Sequence, residues 1–268
     1  MGLIKFAREV MAAPHYRSSP VATLQYAYAK WVFFRSRQND PMKFLQTIGI
    51  DPGLSLRGFD LWRLKLEHAT DLLRKAEYGH GGISFEDGLI LYALVRALQP
   101  DYVVETGVAA GLSTSFFGAA LIENNRGDLF SIELPPMETS TLTHADGARY
   151  TWQEKGVGWV IPNEIKLGLA SRHHLILRDV RRALPDLLQQ IPYVDIFFHD
   201  DLHTPDHMIW EYELVWSKMR PGGALVSDDV NHGWIKFCRK RASNGTALQN
   251  VDRLCALRKP GEGMGSLK

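Results

Sequence analysis

Cysteine is nearly absent from this chain. There are two in 268 residues, Cys238 and Cys255, and their spacing makes neither a disulfide framework nor a metal-binding set. Reduced, buried thiols are the expectation, with a single disulfide left open. An excess of charge is also lacking: 31 basic against 30 acidic residues leave a net charge of +1. That balance speaks against a nucleic-acid-binding protein. No apolar run approaches the roughly 20 residues of a membrane span. The first eleven residues are interrupted by Lys5, Arg8 and Glu9, so no signal-peptide core is read there and a cytoplasmic protein is expected. Repeats and low-complexity segments are missing too. What remains is 45% apolar and 23% charged, the mix of a soluble globular protein. The length suffices for one large α/β domain plus additions.

One further absence is more telling. Residues 102–104, Tyr-Val-Val, read as a buried parallel strand. The strand runs out in Glu105, then Gly107 and Gly111 follow, then a helix with Ser113 or Thr114 as its expected N-cap. A strand, a glycine turn and a helix N-terminus make the ligand crevice of an open α/β sheet. A nucleotide diphosphate would want Gly-x-Gly-x-x-Gly. Here the middle glycine is missing, and an acid stands two residues before the first. A carboxylate at that place repels phosphate and suits a cation. It points away from NAD and towards S-adenosylmethionine, whose amine and sulfonium are positive. An ordinary strand-to-helix turn is the plain alternative.

Residues 1–80 look helical and irregular. Apolar residues recur at helical spacing over 3–11 and over 24–34. The second, aromatic stretch reads as core or as a contact in a homo-oligomer in preference to a membrane-facing patch. A helix over 60–77 is amphipathic through Leu61, Leu64, Ala69, Leu72 and Leu73. Gly79-His-Gly-Gly82 is either a linker or a lid over the crevice. Ser84-Phe-Glu-Asp87 signals the start of a helix that Pro100 stops.

From there strands and helices alternate, as a doubly wound sheet requires. Strands are expected at 102–105, 129–133, 174–177, 194–198 and 224–227, with helices at 113–123, 181–190, 205–219 and 233–241 between and after them. Two short candidates, 246–249 and 253–257, lie too close for a parallel crossover, so an antiparallel final strand is expected.

Ligands bind beyond the carboxyl ends of such strands. What stands there is Glu105, Glu133, Asp179, Asp200, Asp201, His203, Asp228 and Asp229. Glu133 is placed to accept both hydroxyls of an adenosine ribose, unless it is a capping or solvated acid. Asp179 is placed to accept from an adenine amino group, with an N-cap at least as good a reading. The sharper set is Asp200 and His203 with Asp228 and Asp229, which meet if strands four and five are neighbours. Carboxylates gathered at one spot repel unless a cation compensates. An all-oxygen set suits Mg²⁺ with water positions open, and an open position lowers the pKa of a bound hydroxyl. His203 is of the right type to take that proton. A solvated turn at Asp228-Asp229 and a packing role for His203 is the alternative.

Taken together, Glu105-Thr106-Gly107-Val-Ala-Ala-Gly111-Leu-Ser113-Thr114, the acid Glu133 and the Arg220-Pro-Gly-Gly turn before a strand ending in Asp-Asp resemble class I S-adenosylmethionine-dependent methyltransferases. More narrowly, residues 80–258 are similar to metal-dependent O-methyltransferases of macrolide sugars and rhamnosyl groups. The resemblance implies a Rossmann-like, mostly parallel seven-stranded sheet with an antiparallel last strand, to which the apolar spacing of residues 1–80 adds an N-terminal helical extension. It also implies that Asp200, Asp228 and Asp229 hold Mg²⁺, that His203 is the general base, and that a small-molecule hydroxyl is the acceptor. Trp159, in Gly158-Trp-Val-Ile-Pro162, resembles that family's loop beside the cofactor. Two departures stand out: the second metal ligand is often Glu where Asp228 stands, and residues 1–80 match nothing in the family. A metal-independent methyltransferase, a non-catalytic cofactor-binding scaffold and an NAD-linked enzyme remain the rival readings.

Overall fold

The computed structural model describes residues 20–76, 82–135, 155–241, 250–251 and 253–261. The expected helix at 3–11, the strand at 246–249 and most of the Gly79–Gly82 stretch lie outside these residues.

Hydrophobic alternation places the sheet. The elements run α1 (Pro20–Ser36), β1 (Arg37–Gln38), α2 (Pro41–Thr47), α3 (Pro52–Ser55), α4 (Asp60–Lys75), α5 (Phe85–Leu98), β2 (Tyr102–Thr106), α6 (Leu112–Asn124), β3 (Asp128–Glu133), α7 (Asn163–Gly168), β4 (His173–Leu177), α8 (Val180–Gln190), β5 (Val194–His199), α9 (Pro205–Lys218), β6 (Met219–Ser227), α10 (His232–Arg241), β7 (Asn250–Val251) and β8 (Leu254–Arg258). Strand order is β1-β7-β8-β6-β5-β2-β3-β4. The pairs from β6 through β4 are all parallel, and β8 runs antiparallel to both β6 and β7. The doubly wound sheet and its reversed last strand are as expected. The strand count is eight, not seven, because Arg37–Gln38 from the N-terminal extension pairs parallel with β7.

Side chains alternate between two cores, as the period of a strand requires. Val103, Leu129, Ile196, Phe198 and Ala224 face a core shared with α2, α4, α5 and α6. Val104, Ile132, Phe197 and Leu225 face a second core with α1, α8, α9 and α10. Ala29 and Val32 of α1 lie in that second core, whereas Leu24 is 71% exposed. Thus α1 is in part a core helix.

The face of α4 differs from expectation. Trp62, Leu66, Ala69 and Leu73 are buried, while Leu61 and Leu64 are 70% and 78% exposed. Ala69 and Leu73 face the core as expected, but the row starts from Trp62 at i, i+4, i+7, i+11 and leaves Leu61 and Leu64 outside it. Trp62 also donates its Nε1–H to Glu123 at 2.9 Å, which fixes the helix against α6. Ser84 caps α5 in a capping box with Asp87, as its spacing indicated. Among the described residues no helix is long and apolar enough to cross a membrane.

Candidate active site

The loop after β2 is shaped by backbone conformations that need little or no Cβ. Gly107 and Gly111 have φ of +84° and +91°. Ala109 stands where the middle glycine is missing and nevertheless adopts φ +46°, in the left-handed region that disfavours a side chain. The loop is held from two sides. Gly107 donates its N–H to Ile132 at 3.0 Å. The 158–162 segment lies across it, with Gly158 N–H on the Ala109 carbonyl at 2.9 Å and Val160 N–H on Ala110 at 3.0 Å. A Cβ on Gly111 would come within 2.8 Å of Gly158 Cα, so the two segments meet backbone to backbone. Trp159 is half-buried in this segment, with the Lys155 ammonium 4.2 Å from its ring centroid.

Glu105 and Glu133 serve the loop in different ways. Glu105 is fully buried. Its carboxylate accepts from the hydroxyls of Thr114 and Ser131, both at 2.6 Å, and of Ser113 at 3.1 Å. Burial still pushes its pKa up to about 7 against those three hydrogen bonds. Ser113 and Thr114 are therefore not N-caps. Gly111 is the N-cap of α6, and the two hydroxyls sit in the first turn, where Glu105 claims them. Glu133, at the end of β3, accepts from the backbone N–H groups of Val108 and Ala109, both at 2.7 Å, and from Leu134 N–H at 2.8 Å. Burial raises its pKa. Asp179 is exposed and caps α8, accepting from Arg181 N–H at 2.8 Å. Thr106 is buried and donates its hydroxyl to Glu211 at 3.0 Å.

The acid rim forms where β5 and β6 end side by side in parallel register. Asp200, His203 and Asp228 each offer a ligand atom, all within 4.8 Å of one another. Asp229, in the left-handed region at φ +64°, lies beside them with Oδ2 3.8 Å from His203 Nδ1. Burial, and then the Asp228 charge, push Asp200 well above the usual carboxylate range. Burial and the Asp229 charge carry Asp228 to about 6. Burial and the charge of His199 push His203 down to about 4, so its imidazole is neutral at pH 7. Asp228 Oδ1 and His203 Nε2 are buried without a hydrogen-bond partner. An orphaned carboxylate oxygen amid mutually repelling carboxylates is what a hard divalent cation would satisfy, and the unpaired imidazole nitrogen beside it is left free for a proton. The carboxylate oxygens of Asp200 and Asp228, with Asp229 beside them, are a donor set that fits Mg²⁺ or Mn²⁺.

Sequence reasoning named Asp201 at the strand ends but missed His199, His207 and Glu211, which join it in a second layer. His199 Nδ1 is 2.6 Å from Glu211 and 3.2 Å from Asp201, and His207 Nε2 is 3.1 Å from Asp201 and 3.4 Å from Glu211. Burial alone would lower His207, but its hydrogen bonds to Asp201 and Glu211 outweigh that and carry it to about 9. These four side chains neutralise one another, so the set is an ion-paired support under the strand ends. The signal was present: His207 and Glu211 sit at i, i+4 on an otherwise apolar face of α9. Also missed was Arg253, between β7 and β8, whose guanidinium is 3.2 Å from Asp228. A small cleft beside Asp200 is lined by Leu73, Gly82, Val108, Ala110 and Gly111.

Residues 104–230, a little under half of the chain, match a family described as "Methyltransferase domain". No curated protein matches. Among solved structures the chain is similar to a putative O-methyltransferase from Klebsiella pneumoniae, at 17% identity and a TM-score of 0.48 over 72% of this chain and 87% of that one. It is similar to a TDP-rhamnose 3'-O-methyltransferase of calicheamicin biosynthesis, at 19% identity and a TM-score of 0.46 over 73% and 93%. It is also similar to an O-methyltransferase from Bacillus cereus in complex with S-adenosylhomocysteine, at 21% and 0.44 over 69% and 74%. At such scores these likenesses carry no weight for the chemistry of this chain. The domain match spans both the glycine loop and the acid rim, so that over residues 104–230 the chain is similar to a methyltransferase domain.

Proposed function

We propose that this chain transfers the methyl group of S-adenosylmethionine to a hydroxyl of a small molecule, a sugar or another natural product, with Mg²⁺ bound at the acid rim. The observation that carries the reading is the convergence of Asp200, His203 and Asp228 within 4.8 Å, next to the glycine loop that follows β2. Asp200 and Asp228, with Asp229 beside them, would hold the metal. Mg²⁺ bound there supplies a Lewis acid that orients an acceptor hydroxyl and lowers its pKa.

The remaining work falls to side chains. The loop over 107–111, held by Glu133 and by the 158–162 segment, positions the donor. Glu105 reaches the donor only through the loop it pins, since all three of its hydrogen bonds are internal. His203, neutral at pH 7, takes the acceptor proton on its unpaired Nε2. The methyl shift is an in-line displacement, and most of the help a protein can give it is alignment. The cleft between Leu73, Gly82 and Asp200 is the proposed acceptor side, which makes the N-terminal extension a wall of the site. The exposed outer face of α1, with Leu24 and Trp31, is the proposed homo-oligomer contact.

Methyl transfer from labelled donor to a panel of hydroxylated acceptors tests this. Activity that a chelator abolishes and Mg²⁺ restores is expected, with Asp228→Asn inactive yet still binding S-adenosylhomocysteine. Full activity in chelator would move the reading to a metal-independent methyltransferase. Donor binding without transfer to any acceptor would move it to a scaffold.

A further inference from the structure

Asp228 is a buried carboxylate, 1% exposed, and a buried charge needs a partner. The chain supplies one from outside the methyltransferase domain. Arg253 reaches back from the β7–β8 turn, with Nη2 3.2 Å from Asp228 Oδ2 and Nε 4.0 Å from Asp229 Oδ1. The same Nη2 donates to the backbone carbonyl of Gly82 at 3.1 Å. Both ends of this bridge, Gly82 and Arg253, lie beyond residues 104–230. Gly82 in turn lines the cleft beside the glycine loop and Asp200.

Asp228 faces the guanidinium with Oδ2 and has Oδ1 unpaired; two cations drawn to one carboxylate repel each other, so each weakens the other's hold. We propose that Arg253 is a built-in counter-ion that competes with the divalent metal for Asp228, so that metal binding releases it and with it the tie to Gly82. The inference rests on the metal reading of the rim. In the metal-free chain Arg253 neutralises the rim and keeps the aspartates converged. With metal bound, the guanidinium is free of Asp228 and turns towards the cleft, and Gly82 loses its anchor on the same side. Metal occupancy and the shape of the acceptor wall are thereby linked through one side chain. Arg253 is a positioning residue in this scheme, with no part in the transfer itself.

Mn²⁺ is the probe, and the readout is binding, not turnover. Free Mn²⁺ is measured by electron paramagnetic resonance against the full chain and against Arg253→Gln, Arg253→Lys, Asp228→Asn and Lys236→Gln, the last an exposed cation on α10. Arg253→Gln is expected to bind Mn²⁺ about tenfold more tightly than the natural chain. Arg253→Lys keeps the charge without the planar fork and is expected to fall between them. Lys236→Gln, which alters net charge equally, is expected to change affinity by less than about twofold. Asp228→Asn is expected to abolish binding. Equal or weaker Mn²⁺ binding in Arg253→Gln, with binding retained in the natural chain, would overturn the competition alone. So would a gain in Lys236→Gln as large as that in Arg253→Gln. No Asp228-dependent binding in any variant would overturn the metal reading and this inference together. If Arg253→Gln does not fold, Arg253→Lys decides: unchanged or weaker Mn²⁺ binding there counts against the competition.

Discussion

Asp200 donates its backbone N–H to the carbonyl oxygen of Thr106 at 2.8 Å. The end of the donor strand and the first acid of the rim are thus one hydrogen bond apart, and Gly107 is wedged between them. A Cβ on Gly107 would overlap the Asp200 carbonyl oxygen, in a conformation of φ +84° that already disfavours one. Gly107→Ala is therefore expected to damage donor binding and metal binding together, at a cost of about 2–4 kcal/mol in stability. Gly222→Ala is the control, since its φ is +81° but a Cβ there would meet nothing within 4 Å. Strain alone should cost that variant about 1 kcal/mol. Urea denaturation compares the two, and equal losses would mean that the Gly107–Asp200 approach is not a constraint.

Glu133 closes the other side of the same loop through Val108 and Ala109. Replacing it by Gln keeps the size and one acceptor oxygen but can turn an NH₂ group towards two backbone N–H donors. Glu133→Gln should weaken S-adenosylhomocysteine binding by roughly tenfold or more, and lower unliganded stability by about 1–2 kcal/mol. Calorimetric titration and thermal unfolding measure both. Loss of affinity with no loss of unliganded stability would mean that Glu133 touches the donor without organising the loop.

Ala109 offers an opposite sign. It holds φ +46°, so Ala109→Gly relieves strain while loosening the unfolded chain. A net gain of roughly 0.5–1 kcal/mol is expected. A shift of the urea midpoint to higher concentration supports this, and a shift to lower concentration would show that the methyl group packs usefully against its neighbours.

Glu105 makes stability depend on pH. Its folded pKa, about 7, lies above the ordinary carboxylate value. The folded state holds the proton more tightly, so the contribution is fully present below the unfolded pKa near 4.5. It is lost as pH rises through about 7. The natural chain should lose on the order of 3 kcal/mol over that window from this group. Glu105→Gln should flatten that slope. A slope unchanged in the variant would place the titrating group elsewhere.

The sheet was legible because buried parallel strands such as Val103-Val104 and Ile196-Phe197-Phe198 leave few other readings, and because the acids stand where those strands end. The role of Glu105 was not. Its position suggested a ligand contact, yet the hydroxyls of Ser113, Thr114 and Ser131 converge on it, and only folding shows that Ser131 of the adjacent strand faces it. Asp179 was read two ways, and the local hydrogen bond to Arg181 N–H supports the capping one. Arg253 was out of reach of any pattern, being a lone arginine within the antiparallel β7–β8 turn. Its partner Asp228 is 25 positions away in sequence and meets it only through the pairing of β6 with β8.

His203 and Asp228 make the pH profile of turnover a test of the rim as a whole. Asp228, at about 6, must be ionised to hold a metal. His203, at about 4, is already neutral across that range. Asp228 and Asp200, whose carboxyl is also raised by burial and by the Asp228 charge, then set the acid limb together, so the rate should rise from about pH 6 upwards. Metal and proton compete for the same carboxylate, so raising Mg²⁺ should move the limb to lower pH. His203→Gln should leave the limb in place and lower the plateau by about 10²-fold or more, with less effect on acceptor KM. A limb indifferent to Mg²⁺ would separate Asp228 from metal binding. A His203→Gln plateau close to that of the natural enzyme would leave proton removal to solvent or to the acceptor itself, and would make His203 a packing residue beside the metal.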